Sequence, residues 1–187
     1  MKKNSSLVSI SKFLSLVLRH QPEVIGLQLD EEGWVEVDAF LVASKQHGKE
    51  ITLEILHEVV ASNDKKRFAL SEDGLRIRAS QGHSVSNVDL KLAAETPPET
   101  LYHGTVSAFL ESIRLSGLEK RSRNHVHLSP DEATAIKVGS RRGKAVVLRV
   151  DAAAMHADGH CFFRSANGVW LVDAVPVKYL RFPREAR

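Results

Sequence analysis

Cysteine is nearly missing from this chain. Cys161 stands alone, so no disulfide can form within it. A lone thiol fits a reducing compartment, and a cytoplasmic location is the expectation. Long apolar runs are missing too. No stretch approaches the roughly 20 residues of a membrane-spanning helix, so no membrane association is expected. The basic start Met1-Lys2-Lys3-Asn4-Ser5-Ser6 is not followed by an uninterrupted apolar block, and no signal peptide is expected. The sequence also lacks a Gly-x-Gly-x-x-Gly fingerprint, a phosphate-binding loop and a Gly-x-Ser-x-Gly elbow, which argues against a conventional dehydrogenase, ATPase or serine hydrolase. Cysteine pairs and His-Glu-x-x-His are absent as well. His125 with His127, and His156 with His160 beside Cys161, have spacings that can suit a metal, but no nearby acids complete a ligand set, and no metal is expected.

What is present is enough for a real core: 187 residues, 43% hydrophobic and 26% charged, which suits one large domain or two small lobes. The net charge of +3 is unevenly spread. Between Arg114 and Arg149 there are nine Lys and Arg against Glu119, Asp131 and Glu132, so that segment is +6 and the remainder −3. Such a local excess fits a polyanion or phosphorylated ligand, and equally a solvated basic face.

The two halves differ in pattern. Ile10, Phe13, Leu14, Val17 and Leu18 follow helical spacing, which predicts an amphipathic helix over 9–20 that stops before Pro22. A second helix is predicted from Asp38, as N-cap, to about Gly48. A third begins at Thr52 with Ile55, Leu56, Val59 and Val60 as its stripe. Phe68 to Leu70 and Leu75 to Arg78 then flank Ser71-Glu72-Asp73-Gly74, a hairpin signal. Three helices followed by a hairpin is the order of a winged-helix lobe, placed at 1–95. Thr96-Pro97-Pro98-Glu99-Thr100 reads as a stiff connector. Over 101–187, strands are predicted at Leu101 to His103, His125 to Leu128, Ala145 to Val150, Phe162 to Arg164, Val169 to Val172 and Val175 to Phe182. Helices are predicted from Ser107 to Leu115 and from a start at Ser129-Pro130-Asp131-Glu132, giving a mixed sheet with two helices. The fold class is therefore α+β.

Several short motifs carry groups able to do chemistry. Arg19 and His20 end the first helix, where they can project into a cleft or serve simply as cations at a helix C-terminus. Lys65, Lys66 and Arg67 open a strand, with Lys65 and Arg67 on one face. They read as a phosphate clamp or as a charge-protected strand edge. Gln81-Gly82-His83-Ser84 and Tyr102-His103-Gly104-Thr105 each set a His beside a Gly and a hydroxyl, and a Gly lets a ligand approach the backbone.

Taken together, the chain resembles the RNA 2′-phosphotransferases of the KptA type from about Ser11 to Phe182. The resemblance rests on Ser11-Lys12-Phe13-Leu14-Ser15 with Leu18-Arg19-His20, Gly33-Trp34, Asp64-Lys65-Lys66-Arg67-Phe68 and Gln81-Gly82-His83-Ser84. It continues in Leu101-Tyr102-His103-Gly104-Thr105, Val126-His127-Leu128-Ser129 and Asn167-Gly168-Val169-Trp170. Each motif is weak alone; their order is the signal. The resemblance implies an N-terminal winged-helix RNA lobe, a C-terminal ADP-ribosyltransferase-like lobe and an active site between them. It implies a substrate RNA with an internal 2′-phosphate and NAD⁺ consumed as co-substrate. No coiled coil or large apolar repeat in the sequence demands a partner, so no obligate protein partner is expected. Arg19, His20, Arg67 and Arg123 take the positions of the family's Arg-His-Arg-Arg tetrad. His103, Gly104, Thr105, Asn124, His127, Leu128, Ser129 and Arg141, with Arg142 as an alternative to Arg141, are implied for NAD⁺, and Lys65 and Lys66 for the RNA backbone. Val169-Trp170 occupies the region where many ADP-ribosyltransferases carry a catalytic Glu. Three alternatives remain at this level: an ADP-ribosyltransferase that stops after the first step, a non-catalytic winged-helix nucleic-acid binder, and a structural RNA chaperone.

Overall fold

A computed structural model describes residues 2–63 and 65–183. Asp64, which opens the cationic motif, and Met1 lie outside the described residues. The chain divides into two compact units, Met1–Lys91 and Leu92–Arg187.

The first unit begins with helix α1 (Lys2–Arg19), which starts well before the predicted Ser9. Its stripe sits where the spacing placed it: Leu14, Val17 and Leu18 are fully buried, with Ile10 and Phe13 packed alongside. The helix ends because the His20 and Gln21 N–H groups both donate to the Leu16 carbonyl, at 3.0 and 2.9 Å, and Pro22 opens a 3₁₀ turn. Strand β1 (Val35–Glu36) runs directly into helix α2 (Val37–Gln46). Asp38 is not the cap of α2 but lies in its first turn, and Glu36 occupies the cap position without a side-chain bond. The Val37 N–H instead donates to Leu75 O at 2.8 Å, so a bond to the hairpin satisfies a donor that a capping side chain usually serves. Helix α3 (Leu53–Ala61) starts as expected, with Thr52 Oγ1 accepting from the Ile55 N–H. The hairpin forms from β2 (Phe68–Leu70) and β3 (Arg76–Ala79), turning at Gly74 with φ +73°. β3 is central in an antiparallel sheet ordered β1-β3-β2. Phe40, Leu56, Val59 and Ile77 join the α1 stripe in one core.

The second unit contains β4 (Thr100–Val106), α4 (Leu110–Ser116), β5 (Leu118–Glu119), β6 (Val126–Leu128) and α5 (Glu132–Gly139). They are followed by β7 (Ala145–Asp151), α6 (Ala152–Ala157), β8 (Phe163–Arg164), β9 (Trp170–Val172), β10 (Ala174–Val175) and β11 (Leu180–Arg181). Pro97 and Pro98 fall inside this unit, since Glu95 already donates to Phe162 O and Ala94 bridges to Phe163. The sheets are ordered β11-β7-β4, β6-β9-β8 and β10-β5. Every pairing among these strands is antiparallel, so the expected mixed sheet is not found. Helix α6 was not foreseen. Its apolar run is too short for a periodic signal, but Asp151 caps it by accepting from the Ala154 N–H. Leu148, Val150, Met155, Phe162 and Leu171 form the interior.

Two expectations change here for reasons of long-range packing. Ser129 does not cap α5; Asp131 does, accepting from the Thr134 N–H at 2.7 Å. The Ser129 N–H and carbonyl are both bonded to Tyr102, which extends the sheet by one residue. Gly104 is needed for a helix as well. A Cβ there would lie 1.8 Å from Ala135 O and 2.9 Å from Gly139 N, because α5 lies directly on β4. Neither contact is the end of a flexible side chain, so Gly104→Ala forces strand and helix apart. The expected loss is about 3 kcal/mol, read as a lowered midpoint in urea unfolding. A midpoint unchanged from the parent protein would contradict this packing.

Candidate active site

In the first unit, α1 delivers Arg19 and His20 to the point where the chain turns, and the segment before β2 delivers Lys65 and Arg67. The two are joined by backbone: Arg19 Nη2 donates to Arg67 O at 3.4 Å, and the Arg19 guanidinium lies 6.0 Å from the centre of the Phe68 ring. Asn63 organises the other side. Its Oδ1 accepts from Arg67 Nη1 at 3.5 Å and from the Lys65 N–H at 3.2 Å. Lys65 and Arg67 line one groove together with His20, and Lys66 is not among its lining residues. The alternation expected of a strand is thus present, but β2 begins only at Phe68. What turns Lys66 away is a left-handed backbone, φ +40°, held by the Lys66 N–H on Asn63 O and by Ser80 Oγ donating to Lys66 O.

Gln81-Gly82-His83-Ser84 closes on the end of α1. The Ser84 N–H donates to Arg19 O at 2.8 Å, and Ser84 Oγ shares a 2.9 Å hydrogen bond with His20 Nδ1. This bond fixes the ring's orientation through Nδ1. The motif was visible in the sequence, but the role of Ser84 was not, because its partner lies in another element. His83 is 2% exposed and packs against Gly33, where a Cβ would come within 3.0 Å of His83 Nε2. Among the described residues, His83 Nε2 has no hydrogen-bond partner. Burial first, then the positive Arg19, Arg78 and His20, push its pKa down to about 4.

His83 therefore stays neutral when folded but takes up a proton near its ordinary 6.5 when unfolded. Its contribution is full above pH 6.5 and is lost as pH falls toward 4, and the total is about 3 kcal/mol at 1.36 kcal/mol per pKa unit. Thermal melts over this window should fall less steeply for His83→Asn than for the parent. Parallel curves would remove His83 as the cause.

In the second unit, His103 on β4 donates from Nδ1 to His127 O on β6 at 3.1 Å. Arg123 Nη1 donates to His127 Nδ1 at 3.4 Å. Burial lowers the His103 pKa; the His127 carbonyl opposes that, and Arg123 and Arg142 add to it. Arg123 is exposed at the surface, yet its guanidinium is partly desolvated, which with Arg142 and Arg141 lowers its pKa. Three guanidinium groups thus share one electrostatic neighbourhood beside His103, an arrangement suited to an anion such as a pyrophosphate. The side chains of Leu128 and Thr105 are buried, as is Ser129, and Gly104 faces α5. Asn124 follows Arg123 in the turn before β6 and is half-buried. Among the described residues, no group of three or more His, Cys, Asp or Glu is placed to hold a metal, and no helix is long and apolar enough to cross a membrane.

Residues 5–174 match the family model described as RNA 2′-phosphotransferase, Tpt1/KptA family. A probable RNA 2′-phosphotransferase of Rhodopirellula baltica is 66% identical over 183 residues, covering 98% of this chain and all of that protein. Probable RNA 2′-phosphotransferases of Streptomyces coelicolor and Pectobacterium atrosepticum are 60% and 51% identical. They cover 94% and 96% of this chain, and 95% and 98% of their own lengths.

Proposed function

The chain belongs to the RNA 2′-phosphotransferase, Tpt1/KptA family, and from that premise we propose that it removes an internal 2′-phosphate from RNA by transferring it to NAD⁺. The observation that carries this reading is the gathering of Arg19, His20, Lys65 and Arg67 by Asn63, Ser84 and the end of α1. Those groups can hold a phosphate dianion and exchange one proton beside it. The winged-helix and ADP-ribosyltransferase-like characters of the two units belong to the same proposal. The three-helix and hairpin order of the first and the antiparallel strands of the second support them.

In the first step a 2′-phosphate oxygen attacks the anomeric carbon of the nicotinamide ribose. The carbon–nitrogen bond breaks, and nicotinamide leaves neutral with the electron pair, so no acid is required. The product is 2′-phospho-ADP-ribosylated RNA. Arg19 and Arg67 are assigned to orienting the phosphate, and Arg123, at the family's fourth tetrad position, to the charge that moves in the reaction. In the second step the ribose 2″-hydroxyl attacks phosphorus and the bond to the RNA 2′-oxygen breaks. One proton leaves the 2″-hydroxyl and one reaches the RNA oxygen, and His20 Nε2 carries it. The products are RNA with a 2′-hydroxyl and ADP-ribose 1″,2″-cyclic phosphate. His103, held on His127, and Arg142, Arg141 and Asn124 are assigned to NAD⁺. Lys65, and Lys66 on the other side of the turn, are assigned to the RNA backbone.

The test is one incubation of the protein with NAD⁺ and a short RNA bearing a single internal 2′-phosphate. Loss of that phosphate together with the cyclic phosphate product establishes the reaction. A label that stays on the RNA indicates a transferase that stops after the first step. RNA binding with NAD⁺ intact indicates a binding module and overturns the proposal.

A further inference from the structure

Helix α1 has a second stripe besides its buried one. Val8, Lys12, Leu16 and His20 follow one another at intervals of four, so they lie along one face of the helix and its end. Val8 is 53% and Leu16 39% exposed, so two aliphatic side chains reach solvent in line with Lys12 and His20. This face forms one wall of a groove of about 620 Å³ whose lining also includes Lys65 and Arg67. Every charged side chain among the described lining residues is a cation. The groove is continuous with the phosphate-handling groups. Asn63, which holds Arg67 and Lys65, also donates from Nδ2 to Ser11 Oγ at 3.3 Å, next to Lys12.

We propose that this groove binds the single-stranded RNA that flanks the 2′-phosphate on one side, with Lys12 contacting a backbone phosphate and Val8 and Leu16 packing against the neighbouring nucleosides. The inference rests on the reading of the site given above. A 2′-phosphate held at Arg19, His20 and Arg67 belongs to a strand that must run away from that point, and its backbone carries a charge at every nucleotide. From His20 to Lys12 the helix axis advances about 12 Å, which gives such a strand a track with a cation at its far end. Alternating cation and apolar side chains meet the two faces of a single strand, phosphates on one and bases on the other. The apolar contacts are aliphatic and make no hydrogen bonds to base edges, so the groove measures the length of flanking strand rather than its sequence. Lys12 is a positioning residue on this account, since it touches no reacting atom.

Two measurements test it. The first is binding of an unphosphorylated single-stranded RNA by fluorescence anisotropy at a series of salt concentrations. Each phosphate contact contributes about 0.7 to the slope of log affinity against log salt for single strands, so Lys12→Ala should lower the slope by about 0.7. Leu16→Ser should weaken binding without lowering the slope. The second is steady-state turnover of a minimal 2′-phosphorylated dinucleotide and of the same junction extended by several nucleotides on its 5′ or its 3′ side. Lys12→Glu should raise KM severalfold more on one of the two extended substrates than on the dinucleotide, with kcat on that substrate little altered. A salt slope unchanged in Lys12→Ala overturns the proposal. So does a Lys12→Glu penalty equal on all three substrates, or one that falls on kcat. If the parent protein binds RNA in a Lys12-dependent way but leaves NAD⁺ and the 2′-phosphate intact, the groove stands and the catalytic reading falls.

Discussion

Arg123→Ala is expected to slow turnover of 2′-phosphorylated RNA by about 10³- to 10⁵-fold, the range seen when an arginine that neutralises a transferring phosphoryl group is removed. The proposed reaction moves a dianion's charge from a phosphate oxygen to a new bond and then to a cyclic ester, and a fixed guanidinium would serve each of those charge distributions. The surroundings of Arg123 suit that task better than they suit stability. It bonds to His127 Nδ1 at 3.4 Å and sits in the field of Arg141 and Arg142. Removing one of three like charges costs little folding energy, so the melting temperature should hold or rise slightly. Arg123→Lys should not restore the rate, because an ammonium cannot present the planar two-pronged donor. Nicotinamide release under single-turnover conditions is the measurement. A variant within tenfold of the parent would remove Arg123 from the chemistry.

His20→Ala is expected to separate the two steps. Nicotinamide should still be released, because a neutral leaving group needs no acid. The second step should slow by about 10²- to 10⁴-fold, the usual worth of a positioned acid or base. The consequence is an RNA that carries ADP-ribose on its 2′-phosphate and accumulates to detectable levels on a denaturing gel. Ser84 is part of this expectation, since its 2.9 Å bond to Nδ1 holds the ring in place. Normal release of dephosphorylated RNA without the intermediate would assign the proton to another group. Equal loss of nicotinamide release and of product would mean that His20 acts in the first step.

Much of the fold and site was readable locally. The spacing of Leu14, Val17 and Leu18 placed the buried face of α1, Thr52 marked the start of α3, and Asp73-Gly74 marked the hairpin. The order of the short motifs along the chain was enough to point to the family that the comparisons then gave. These features depend on residues within a few positions of one another, or on their order, and a sequence carries both directly.

Where those groups meet was decided by tertiary structure. Ser84 reaches His20 across 64 residues of sequence, and no local pattern encodes that bond. Ser129 reads as a helix cap by itself, yet its two backbone groups pair with Tyr102, because a strand in reach outcompetes a side-chain cap that Asp131 can supply instead. Gly104 reads as room for a ligand, but the room is filled by the backbone of α5. Lys66 turns away from Lys65 and Arg67 through one left-handed residue rather than through strand alternation. By itself, then, the sequence determined which segments form helices and hairpins and which side chains are available for chemistry, since propensity and periodicity act over one or two turns. Only the tertiary structure decided which backbone groups those side chains and glycines meet, since hydrogen bonds and close approaches between distant segments exist only once the segments have packed.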